Sequence, residues 1–262
     1  MASSRRLRAL ITNDDGLDSP GLHVLAALAR DAGFEVIVAA PHEDASGVSA
    51  SVKAMHSVDG AVRLHRREIP NLPDVEAYAV EAHPAFIVHA AGRGWLDPEP
   101  DVVLSGVNFG ANVGRAVLHS GTVGAALAAS LHGWRALAIS LDSGWEIPEH
   151  PHWDAVAHVL PQLLDVLLGA DEGTVLSVNV PDRPAVELAP LREARLSRFG
   201  MVTITVQHHD DVETSVLRST AEDLATESDP ESDVALLVAG HPTVTRLVSV
   251  AAHPGVIQVA GV

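Results

Sequence analysis

The sequence predicts an α/β protein with a mostly parallel sheet and helices on both of its faces. Strand-like and helix-like segments alternate through the first two-thirds of the 262 residues, the rhythm of strands joined by crossover helices. Several of the strand-like runs end in clusters of Asn, Asp, Ser and Gly. After about Pro190 the alternation stops and β character dominates.

Taken in order, Leu7–Thr12 is a short apolar strand. Gly21–Ala32 is an amphipathic helix with Leu22, Leu25, Leu28 and Ala29 on one side, and Gly33 supplies its stop. Glu35–Ala40 is the second strand, and Val62–His65 and Ala77–Val80 are short strands flanking a proline-bearing loop. Pro84–Ala91 is helical, and Asp101–Ser105 is a buried-type strand introduced by Pro98 and Pro100. Thr122–His132 is an alanine-rich helix ended by Gly133, followed by the strand Ala136–Leu141, the long helix Trp153–Leu168 and the strand Thr174–Val180. Beyond these, Met201–Val206 alternates strongly, 208–233 is acidic and turn-rich, and Val244–Val250 returns to β character. The expected organisation is a core over 1–190 and a β-rich extension over 191–262 that packs on it or reaches another subunit.

Composition limits the functions available. Hydrophobic residues make up 47% of the chain, enough for a packed core, yet aromatics are only 3%, so Ala, Val and Leu must fill it. The formal charge is −17 and Lys53 is the sole lysine. An acidic surface repels phosphate backbones, so a nucleic-acid polymer is a poor partner. A small phosphorylated molecule remains accessible where a cation or backbone amides offset its charge. The absence of cysteine excludes disulfides, thiolate zinc sites and cysteine nucleophiles. With no signal-peptide pattern and no run near the roughly 20 apolar residues of a membrane span, the expectation is a soluble, cytoplasmic protein.

The candidate chemistry lies where strands end. Asn13-Asp14-Asp15-Gly16 places two adjacent carboxylates at the C-terminal tip of the first strand, the edge at which open α/β sheets bind ligands. In isolation this is also an ordinary turn sequence. After the second strand comes Pro41-His42-Glu43-Asp44-Ala45-Ser46-Gly47. After Asp101–Leu104 comes the run from Ser105-Gly106 through Asn108, Gly110 and Asn112 to Gly114, and Ser120-Gly121-Thr122 opens the next helix. In a parallel sheet these loops leave from one edge. Asp14, Asp15, Ser46 and Asn108 offer oxygen donors suited to a hard divalent cation, and glycine-loop amides with the helix start offer an anion site. No G-x-G-x-x-G follows the first strand, and no G-x-x-x-x-G-K-[ST], H-E-x-x-H or G-x-S-x-G is present.

Together, NDDG, APxxxxSG and SGxNxGxNxG followed by SGT, in this order over about Leu7 to Leu141, resemble the SurE (survival protein E) family. Asn179-Val180-Pro181 resembles that family's later strand-end motif. The resemblance implies a Rossmann-like three-layer core and a C-terminal extension exchanged between the subunits of a homodimer or homotetramer. It implies a metal-dependent 5′/3′-nucleotidase that hydrolyses nucleoside monophosphates. Carried over by motif, one divalent cation per subunit, Mg²⁺ or Mn²⁺, falls on Asp14, Asp15, Ser46 and Asn108. Asn13, Gly110, Asn112, Ser120, Gly121 and Thr122 fall near the phosphate. The chain departs from the family at His42, Glu43 and Asp44, where basic residues are usual, and at Glu81-Ala82-His83-Pro84 in place of Gly-Thr-Pro. His119 replaces a tyrosine and Ala128 a glutamate.

Asp14 or Asp15 could serve as nucleophile or general base; metal ligation is favoured for both, because adjacent uncompensated carboxylates repel. His119 is the candidate proton donor to the leaving group. Two alternatives remain at this stage: the same chemistry on another phosphorylated metabolite, or a non-catalytic nucleotide- or metabolite-binding relative. The pairs His150/His152 and His208/His209 are expected to be surface residues, and Trp134, Trp145 and Trp153 packing groups.

Overall fold

The computed structural model describes residues 5–54, 61–144, 148–198, 202–207, 216–221 and 229–250. Its centre is a nine-stranded sheet. Six strands run parallel in the order β4 (Leu72–Val80), β2 (Glu35–Pro41), β1 (Arg8–Thr12), β5 (Val102–Phe109), β6 (Arg135–Asp142), β7 (Val175–Pro181). β3 (Leu64–Ile69) lies antiparallel on one edge, and β11 (Thr243–Leu247) with β8 (Arg192–Glu193) completes the other. A separate hairpin pairs β9 (Val202–Gln207) with β10 (Val216–Ala221). Among the described residues of the C-terminal quarter are the strands β8 to β11, of which β8 and β11 join the main sheet.

Two apolar layers cover the sheet. On one face α1 (Pro20–Asp31) and α4 (Trp153–Gly169) set Leu22, Leu25, Leu160, Leu163 and Leu167 against Ala9, Ile11 and Val38. On the other, α2 (Pro84–Ala90) and α3 (Gly121–Ser130) set Ile87, Val88, Val123 and Ala126 against Leu10, Ile37 and Val103. Successive residues of β1 thus feed opposite cores, and the central strands read as continuous apolar runs because both faces are dry. Among the described residues no helix is long and apolar enough to cross a membrane.

The strand order explains where a ligand can enter. From β1 the chain winds through β2 to β4 on one side, then returns to place β5, β6 and β7 on the other. The switch point lies between β1 and β5. There the connections diverge to opposite sides and leave a crevice beyond the strand tips.

The structure departs from the sequence expectations in three places. The segments Val62–His65 and Ala77–Val80 become a long hairpin, β3–β4, turned at Asn71, whose φ is 63°. The full extent of β3 escapes a sequence reading because its LHRREI run is an exposed, charged edge strand. The acidic 208–233 stretch contains β10 and leads into a short helix, α5 (Asp233–Val238). Finally, β5 runs to Phe109 rather than Ser105, carried through an irregularity in its pairing with β6 between Ser105 and Asn108.

Gly106 makes that irregularity possible. Its φ is 135°, and a Cβ there would lie 2.2 Å from the carbonyl oxygen of Ile139. Gly33 also has positive φ but faces open space, so the pair separates backbone conformation from steric contact. Gly106→Ala is expected to lower stability by on the order of 2 kcal/mol in denaturant unfolding, and Gly33→Ala by only about 1 kcal/mol. Equal losses would show that the contact with Ile139 is inconsequential.

Candidate active site

At the tip of β1 the chain turns sharply, and Asn13 closes the turn. Its side-chain nitrogen donates to the Gly16 carbonyl (3.0 Å) and its oxygen accepts from the Gly16 amide (3.2 Å). Asn13 is fully buried, so its role here is to shape the loop, with both polar ends of the side chain engaged. The loop is tied to the next strand's connection by Ala45 N–H donating to the Asp14 carbonyl (2.8 Å) and Leu17 N–H to that of Pro41 (2.9 Å).

Asp14 is only 3% exposed and packs against the start of α3. The Thr122 hydroxyl donates to its Oδ1, and a Cβ at Gly121 would fall 2.7 Å from its Oδ2. Only glycine allows this approach of a carboxylate to the helix start. Burial pushes the Asp14 carboxyl above its usual range, while hydrogen bonds from Thr122 oppose that rise. Asp15 is less well served. Its Oδ2 is buried and has no hydrogen-bond partner among the described residues. Burial, with the neighbouring charges of Asp14 and Asp44, raises its pKa to about 8.

Three further donors arrive from other loops. Ser46 follows β2, its amide donating to Asp44 Oδ1 at 2.6 Å. Asn108 stands near the end of β5, where its amide nitrogen donates to the carbonyls of Phe109 (2.9 Å) and Gly110 (2.7 Å), leaving its oxygen as the end suited to a cation. Ser120 caps α3, its Oγ accepting from Val123 N–H at 3.1 Å. With Asp14, Gly47, Phe109, Gly110, Ala111, Asn112 and His119 these residues line one cavity of about 490 Å³. Asn13, Asp15, Gly121 and Thr122 are not among its lining residues; Gly121 and Thr122 stand behind Asp14.

The glycine loop has a support whose role the sequence reading of Asn179-Val180-Pro181 did not reach. Asn179 at the end of β7 clamps the backbone of Asn112: its Oδ1 accepts from the Asn112 amide (2.7 Å) and its Nδ2 donates to the Asn112 carbonyl (3.0 Å). The Asn112 side chain in turn donates to Ser140 Oγ (2.9 Å). The strand-end position of Asn179 was a visible signal; Ser140, inside an apolar strand, gave none.

The donor set fits a hard divalent cation. Two adjacent carboxylates, one with an unsatisfied buried oxygen, lie with hydroxyl and amide oxygens at one sheet edge. Among the described residues no three Asp, Glu or His side chains gather as ligands, so such a site depends on Ser46 and Asn108.

The other sequence features separate from the cavity. Ala128 is buried in the α2–α3 core, and Glu81 pairs with His65 (3.0 Å) and Arg63 (3.4 Å) at the edge of the sheet. His152 contacts Asp154 at 3.7 Å, Trp134 stacks on His132, and Trp153 packs on the core and on Phe109. Trp145, His208 and His209 lie outside the described residues.

Comparison with known proteins places this arrangement. The family model for survival protein SurE matches residues 9–205. A 5′-nucleotidase SurE of Stenotrophomonas maltophilia is 35% identical over 243 residues, covering 92% of this chain and 89% of that protein. Its counterpart in Xylella fastidiosa is 38% identical over 199 residues, covering 74% of this chain and 70% of the relative. The crystal structure of the SurE protein from Aquifex aeolicus superposes with a TM-score of 0.73 at 27% identity, covering 92% of each chain. The match spans every strand-end loop that builds the cavity, and the chain belongs to the SurE family.

Proposed function

We propose that this protein is a divalent-cation-dependent phosphomonoesterase that hydrolyses nucleoside monophosphates to nucleoside and phosphate. The observation that carries the reading is the buried Asp15 oxygen, without a hydrogen-bond partner among the described residues, next to Asp14, which itself lines a cavity together with the cap of a helix and a glycine loop. The relatives named 5′-nucleotidase support the same reaction class.

Asp14, Asp15, Ser46 and Asn108 would hold one cation per subunit, Mg²⁺ or Mn²⁺. When bound, such a cation supplies positive charge against a phosphoryl oxygen and increases the acidity of water. The chain's own groups do the rest. Thr122 and the turn closed by Asn13 keep the two carboxylates oriented. Ser120, the cap of α3, and Gly110–Asn112 line the cavity, where hydroxyl and backbone dipoles would favour the charge on a phosphoryl group. Both carboxylates act as ligands in this reading, since neutralising them together removes the repulsion that otherwise keeps one protonated. His119 lines the cavity from an exposed position at the end of the 3₁₀ helix Gly114–His119. In this reading it hands a proton to the departing alkoxide of the nucleoside. The same reading keeps residues 191–262 as an extension that mediates subunit contacts in a homodimer or homotetramer.

Three outcomes check this reading. Phosphate release from a panel of nucleoside monophosphates is expected to require Mg²⁺ or Mn²⁺ and to stop with EDTA. Asp15→Asn is expected to lower kcat/KM by about 100-fold or more, and wild-type activity in that variant would sink the ligand assignment. His119→Ala is expected to reduce kcat on nucleotides by about 100-fold. It should have far less effect on p-nitrophenyl phosphate, whose leaving group needs no proton. Loss of equal size on both substrates would remove His119 as the acid.

A fourth outcome concerns stability without metal. The Asp15 carboxyl has a pKa of about 8 when folded, against the usual 3.8. Between those values the folded state holds a proton that the unfolded chain has lost, so stability falls as pH rises through that interval. The melting temperature of the EDTA-treated protein is expected to drop from pH 5 to pH 8, more in wild type than in Asp15→Asn. Added Mn²⁺ should restore most at the alkaline end. A slope identical in the variant would place its origin elsewhere in this acidic chain.

A further inference from the structure

Asp233 is a buried carboxylate that the reaction as described does not use. It is 1% exposed and stands at the first position of α5, far in sequence from the cavity. Its Oδ2 accepts from the amide of Gly114 at 2.7 Å. Its Oδ1 accepts from the amides of Ser197 and Val234, each at 2.9 Å. Its own N–H donates to the Arg195 carbonyl at 2.7 Å. One side chain therefore joins the glycine loop, the 195–197 segment and the start of α5.

Gly114 occupies a decisive place. The loop bearing Asn112 ends there, and the 3₁₀ helix that ends at His119 begins there. The contact is also apolar: Val113, Val234 and Leu237, with Ala111 against them, form a small buried cluster separate from the two main cores. α5 is thus the floor on which the loop rests.

Helix capping does not account for Asp233. Ser232 already caps α5, its Oγ accepting from Ala235 N–H at 3.1 Å. A buried carboxylate is unfavourable unless its oxygens are bonded, and here both oxygens are needed. An amide in its place would present N–H either to Gly114 or to Ser197 and Val234.

We propose that Asp233 is a positioning residue of the phosphate site: its carboxylate fixes the Gly114 amide, and through it the placement of both Asn112 and His119. This rests on the reading of the cavity as a phosphoryl site.

The test compares Asp233→Asn with Ser232→Ala, which weakens α5 while leaving the carboxylate in place. The readouts are nucleoside monophosphate turnover, competitive inhibition by inorganic phosphate, and melting temperature. Asp233→Asn is expected to raise the inhibition constant of phosphate about tenfold and to lower kcat/KM at least as much. Ser232→Ala should leave both within about twofold even where its melting temperature falls comparably. The proposal is overturned if Asp233→Asn lowers the melting temperature without moving the inhibition constant, or if both variants move it equally. Should Asp233→Asn not fold, Val113→Ala loosens the same support from the loop side. A phosphate inhibition constant at least threefold higher in that variant supports the proposal, and an unchanged one overturns it. If the wild-type protein releases phosphate from no monoester, the phosphomonoesterase reading fails on its own. Calorimetric binding of inorganic phosphate then decides the clamp: about tenfold weaker binding in Asp233→Asn supports it, and equal or absent binding overturns it.

Discussion

Two carboxylates held side by side at the dry tip of β1, with Asp14 against the start of α3, set the conditions that the surrounding structure must meet. Neither aspartate can be fully solvated there, and like charges in a poorly hydrated site repel strongly. Asp14 is relieved by the helix start and by Thr122, an arrangement that only a glycine at 121 permits. Asp15 retains a buried oxygen with no hydrogen-bond partner among the described residues. In the function proposed above, that asymmetry makes the site a receptor for positive charge, because a cation would satisfy both groups at once.

The fold places this demand where it can be met. The change in winding direction between β1 and β5 opens the crevice, and the irregularity at Gly106 carries β5 on to deliver Asn108 at its rim. Ser46 comes from the connection after β2, and Ser120, the cap of α3, lines the same cavity. The glycine loop is held from behind by two side chains. Asn179 holds Asn112 and Asp233 holds Gly114, drawing on the end of the parallel sheet and on the C-terminal segment. The β-rich last quarter is therefore structurally continuous with the site: its helix α5 lies under the loop, and its strand β11 seals the sheet edge next to β7.

Much of this was legible in the chain itself. The alternating runs specify the central parallel strands and the helices over them, since a strand dry on both faces must be apolar throughout. Asp14, Ser46, Asn108, Gly110, Asn112, His119 and Ser120 were named from strand-end motifs and share one cavity. Thr122 and Asn13 were read as phosphate-side residues, yet their side chains are occupied in holding Asp14 and closing its turn. A motif specifies which residues gather, and it is silent on which of them face the ligand. The length of β3 was obscured by its charged edge composition, and α5 by the acidic stretch before it.

By itself the sequence determined the layer architecture, the oxygen-donor chemistry and the loops that bear it, because periodicity and strand-end composition are local properties. Tertiary structure alone decided the supports: the Asn179 clamp, the Ser140 contact, the burial that raises Asp15, and Asp233 beneath Gly114. Each joins segments distant in the chain, and Asp233 and Gly114 are 119 residues apart. The worth of such a hydrogen bond depends on the exclusion of water, and water is excluded only after the layers have packed.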